Sequence, residues 1–114
     1  MLTVHPKSDP AAAVTHFREL HEFAVRIAPA GFAVYEHHWD VTDSLDWIVV
    51  AGWSEQRFEF SWDSSRHVLD VSTSADPPES HVQSWEPIAH RAAVDSAGAF
   101  VEAEKFLHEH TKKT

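Results

Sequence analysis

Between Arg57 and Trp62 the chain alternates without a fault: Phe58, Phe60 and Trp62 are aromatic, while Arg57, Glu59 and Ser61 are polar. Successive strand residues point to opposite faces, so this hexapeptide reads as a strand with one face on a core and the other on water. A half-solvated strand belongs to an antiparallel sheet, because parallel sheets are covered on both sides. Its neighbours fit that sheet. β-Formers recur over 32–40 (Phe32, Val34, Tyr35, Trp39) and over 47–53 (Trp47-Ile48-Val49-Val50), and over 67–73 Leu69 and Val71 point in while Asp70 and Ser72 point out. The connections are short, and Asp63-Ser64-Ser65-Arg66 reads as a tight turn. The expectation is a four-stranded antiparallel meander in the order 1-2-3-4, over 32–40, 47–53, 57–62 and 67–73.

Helices flank the strands. Ser8-Asp9-Pro10 offers a capping oxygen before a proline, and Ala13, Val14, Phe17, Leu20, Phe23, Ala24, Ile27 and Ala28 fall on one half of a helical wheel. That predicts a helix over 10–28, ended by Pro29-Ala30-Gly31, with Arg18, Glu22 and Arg26 spaced to pair along its wet side. His16 and His21 border the apolar arc and suit a helix–sheet contact. Over 75–87, Asp76-Pro77-Pro78 and Trp85-Glu86-Pro87 predict irregular chain, with a helical turn over 88–93. A closing helix over 96–110, capped by Asp95 or Ser96, carries Phe100, Ala103, Phe106 and Leu107 on one side. The fold class is α+β: one domain over 1–114, a two-layer sandwich with both helices on one face of the sheet. Phe17, Leu20, Ile27, Phe58, Phe60, Leu69, Val71, Phe100 and Leu107 are its expected core.

The strand over 47–53 departs from simple alternation. Trp47, Val49, Ala51 and Trp53 share one face, but Ile48 and Val50 make the opposite face apolar too. Something must cover that second face, or it is a contact surface.

Charge is placed unevenly. The 114 residues carry a net charge of −9, and 36–86 alone holds eleven acids against the two bases Arg57 and Arg66, an excess equal to the whole net charge. All five tryptophans lie in that stretch. An acidic chain is a poor phosphate binder, so nucleic acid is not an expected partner. No apolar run approaches the roughly 20 residues of a membrane helix, so a membrane is not expected either. Cysteine is absent, which removes disulfides and thiolate chemistry, and a cytoplasmic location is the expectation.

Catalytic and cofactor signals are missing. No serine lies in a Gly-x-Ser-x-Gly turn, and the three glycines are scattered rather than gathered in a phosphate loop. No catalytic, cofactor-binding or metal residue is assigned, and the chain leans away from being an enzyme. The densest polar cluster, Glu36, His38, Asp40, Asp43 and Asp46, has the chemistry of a divalent-cation site. In layout, a helix, an antiparallel sheet and a helix on an acidic chain resemble the frataxin-like iron-binding proteins, a resemblance that implies metal handling as the alternative function. His108-Glu109-His110 lacks the i, i+4 spacing of a helical chelate and reads as a polar helix end.

The leading expectation is a non-enzymatic protein-binding module, of the immunity, adaptor or chaperone kind, that offers an acidic and aromatic sheet surface to a basic protein partner. Ile48, Val50, Glu59, Asp70, Trp39 and Trp53 are its candidate surface residues. Complementary fields would steer such an encounter. A weak homodimer through the same face would be opposed at low salt by its two acidic rims.

Overall fold

A computed structural model describes residues 10–40, 46–74 and 84–111. Helix α1 spans Pro10–Ile27 and runs into a 3-10 turn, Ala28–Ala30, which Gly31 closes at a φ of 91° with its N–H on the Ala28 carbonyl. Five strands follow: β1 (Ala33–Trp39), β2 (Trp47–Trp53), β3 (Gln56–Asp63), β4 (Val68–Ser74) and β5 (Trp85–Ala92). Helix α2 (Ser96–Thr111) closes the domain, and the Asp95 carboxylate caps it by accepting the Gly98 N–H. The strands form one antiparallel sheet in the order β1-β2-β3-β4-β5. The α+β sandwich is therefore as expected, with five strands rather than four.

The fifth strand corrects the reading of 75–87 as irregular and of 88–93 as a helical turn. Residues 75–83 lie outside the described residues, but Trp85–Ala92 pairs with β4. Proline is compatible with a strand at an edge or a bulge, and Pro87 has both: β5 is the last strand, and its register with β4 shifts between Val71 and Ser72.

Both helices pack on one face of the sheet. Trp47, Val49, Ala51, Phe58, Phe60, Trp62, Leu69 and Val71 from the strands meet Phe23 and Ile27 of α1 and Ala99, Phe100, Ala103, Phe106 and Leu107 of α2 in one core. The Trp47 ring stacks on Phe100 at 4.1 Å, and its indole N–H donates to Ser96 Oγ, which in turn donates to Glu19 Oε1. That relay gives the indole an acceptor and ties α1, β2 and the start of α2 together.

Phe17 corrects the expected core, being 50% exposed. The buried line of α1 runs through His16, Phe23 and Ile27, with Leu20 half-buried beside it, so the buried strip is narrower than the apolar arc. Arg26 also leaves the expected ladder along α1 and reaches Glu104 of α2 at 2.7 Å.

Candidate functional site

The face of the sheet opposite the helices is built from the residues that alternate outward, and register places them in rungs. One rung runs His38–Ile48–Ser61–Asp70–His90 from β1 to β5, and the next runs Glu36–Val50–Glu59–Ser72–Pro87. Four of the six expected surface residues, Ile48, Val50, Glu59 and Asp70, thus share this face. The other two do not. Trp39 stacks on His16 at 4.5 Å, and Trp53 packs beside Phe32 and Phe58, so both lie against the core on the helix side.

Sequence reasoning lost Trp39 because β1 changes phase. The register with β2 shifts between Val34 and Glu36, which leaves Tyr35 as an extra residue. Before the bulge, Val34 packs against the core; after it, His37 and Trp39 turn toward α1 while Glu36 and His38 turn to the open face. The same bulge frees Tyr35 to receive the Arg57 guanidinium, which stacks 3.9 Å from its ring centre.

Apolar exposure on the open face is smaller than the sequence suggests. Val50 is only 3% exposed and Ile48 is half-buried. Val50 stands between Glu36 and Glu59, with the Tyr35–Arg57 stack beside it, and the stems of such long side chains cover apolar ground while their heads stay wet. The expected apolar strip is cut back by that shelter to the half-buried Ile48.

Charge dominates what remains. Asp70 accepts from Arg66 at 3.4 Å and lies 3.1 Å from His90 Nδ1, and Arg66 also bonds Asp63 at 2.8 Å. The bonds from Arg66 and Ser65 hold the Asp63 carboxyl down to about 2. Glu59 goes the other way. Burial pushes its carboxyl up, the Glu36 charge across Val50 pushes it further, and His38 opposes them. Among the described residues the Glu59 carboxylate makes no hydrogen bond or ion pair, whereas the Glu36 carboxylate lies 3.7 Å from His38. Beside these groups a shallow groove of about 580 Å³ is lined by Glu59, Ser61, Asp70, Ser72, Pro87 and His90 among others.

The structure describes the polar cluster of 36–46 only in part: Glu36 lies 3.7 Å from His38, and His38, Asp40 and Asp46 border one shallow groove. Asp43 lies outside the described residues, and the Asp46 carboxylate is engaged by the Ser64 N–H and hydroxyl at 2.8 and 2.7 Å, bracing the turn after β3. Among the described residues no three imidazole or carboxylate groups gather as they would around a metal ion. His110 donates its Nδ1–H to the Phe106 carbonyl one turn back in its own helix and stacks on the Phe106 ring, a packing role at the end of α2. No helix among the described residues is long and apolar enough to cross a membrane.

A second polar feature, which the sequence reading had only as a helix–sheet contact, lies on the covered side. His16 Nε2 and His37 Nε2 are 2.7 Å apart, with His16 only 5% exposed. The signal that could have found it is the phase change in β1, which turns His37 inward. No family model, curated protein or solved structure matches this chain.

Proposed function

We propose that this chain is a non-enzymatic protein-binding module, and that it receives the basic side chains of a protein partner on the open face of its sheet. The observation that carries the reading is Glu59: a half-buried carboxylate without an ion-pair partner among the described residues, facing Glu36 across the sheltered Val50. Two like charges held across one strand repel, and an arriving arginine or lysine relieves both at once. The cations already on this face do not offer that relief, since Arg57 is stacked on Tyr35 and Arg66 is committed to Asp63 and Asp70. The half-buried Ile48 and the groove beside Asp70 supply the apolar and hydrogen-bonding ground that a partner would cover.

The test is calorimetric titration with an arginine-rich amphipathic peptide and with its charge-reversed counterpart. Binding of the basic peptide alone, weakening as salt rises and abolished by Glu59→Lys, is the expected result. Equal binding of both peptides, or binding that survives Glu59→Lys, would overturn the proposal.

A further inference from the structure

Helix α1 shows solvent an apolar line that lies outside the core of the described residues. Val14, Phe17 and Val25 are 58, 50 and 55% exposed. At about 100° per residue, Val14, Arg18, His21 and Val25 lie roughly opposite the line through His16, Phe23 and Ile27 that faces the sheet. Phe17 forms a shoulder beside them, its ring edge-on to Trp39 at 5.5 Å. The charges of α1 balance, with Arg18 and Arg26 against Glu19 and Glu22. Two of the four are turned inward to α2, since Arg26 bonds Glu104 and Glu19 accepts from Ser96. Arg18 and Glu22 stay exposed and form no ion pair among the described residues.

The pattern is complementary to itself when reversed. In an antiparallel pair of helices, residues whose numbers sum to a constant stand opposite one another, and each flank meets the same flank of its partner. A sum near 39 or 40 places Val14 against Val25 of a second copy at both ends and Arg18 against Glu22 of the second copy twice. On the other flank Phe17 stands near His21 of the second copy. We infer that the outer face of α1 is a self-association surface, seating a second copy of this chain antiparallel across a two-fold axis. The acidic open faces of the two sheets then point away from each other, which removes the repulsion a sheet-to-sheet dimer would face. With three exposed apolar side chains per copy, the association is weak and depends on concentration.

Sedimentation equilibrium of the full chain from about 10 μM to about 1 mM reads it out. The wild type is expected to move from monomer toward dimer over that range. Arg18→Glu and Glu22→Arg, both at exposed positions, should each weaken association by about tenfold or more. An equimolar mixture of these two variants should dimerise again, because each then meets opposite charge across the axis; repair of one helix within its own chain cannot produce that result. Ile48→Asp, on the open sheet face, should leave this self-association unchanged. A wild type that stays monomeric to the top of the range, a mixture that fails to recover, or a dimer lost on Ile48→Asp would overturn the inference.

Discussion

His16 of α1 and His37 of β1 hold their Nε2 atoms 2.7 Å apart, a distance that accommodates one proton between the rings but not one on each. Trp39 stacks on His16 and Phe17 lies edge-on to His37, so the pair sits in an aromatic surround. Burial lowers His16 to about 4, with the His37 charge adding to the effect; burial also lowers His37, and there His38 adds.

Stability should therefore fall with acid in a defined window. An unfolded histidine takes its proton near 6.5, while folded His16 resists until about 4, so the unfolded state binds more protons between these values. The contribution is complete above about 6.5 and is lost progressively toward about 4. After allowance for solvent screening around the half-buried His37, the loss should be about 1 to 2 kcal/mol. Melting temperature measured from pH 7.5 to pH 4 checks it, and His16→Gln should flatten the dependence. A wild-type profile that is flat or rises toward acid would refute the account of the pair.

Glu59→Gln should stabilise the domain at neutral pH while weakening the proposed interaction. Folded Glu59 is pushed above its ordinary 4.5, so its ionised form costs stability above the raised value and nothing below the ordinary one. The gain at pH 7 should vanish as pH falls below 4.5. Denaturant melts of the two proteins at pH 7 and pH 4 make the comparison. A loss of stability at pH 7 would contradict the placement of Glu59 against Glu36.

Gly52 is a position where a side chain does not fit. Its φ is 156°, and a Cβ built there would lie 2.3 Å from the Gln56 carbonyl oxygen, across the turn that joins β2 to β3. Backbone cannot yield as a flexible side chain does. Gly52→Ala should cost about 1 to 3 kcal/mol, read as a shift in the denaturation midpoint.

The two helices, β3 and β4 were legible because each carries a periodic pattern, and β2 because Trp47-Ile48-Val49-Val50 is a run of β-formers. β5 was not, because Pro87 reads as a strand breaker until the edge position and the register shift that accommodate it are known. Phe17 was misplaced for a different reason: a helical wheel shows which side is apolar but not how wide a strip the sheet covers. Phe17→Ala should accordingly cost under about 1 kcal/mol, against about 3 to 5 for Phe60→Ala, whose side chain is fully buried. The open face was legible in outline, since Ile48, Val50, Glu59 and Asp70 fell where alternation put them. Its shelter over Val50 was not, because it depends on which long side chains stand on the neighbouring strands.

The central claim is that the open face of the sheet, rather than the helix layer, meets a basic protein partner. Site-specific photo-crosslinking in the cell addresses it most directly, with the reactive side chain placed at Ser61 on the open face or at Val101, which is exposed on α2. The account predicts a discrete protein adduct of basic composition from position 61, lost when Glu59→Lys is added, and none from position 101. An adduct formed only from position 101, or a position 61 adduct that is acidic or indifferent to Glu59→Lys, would contradict it.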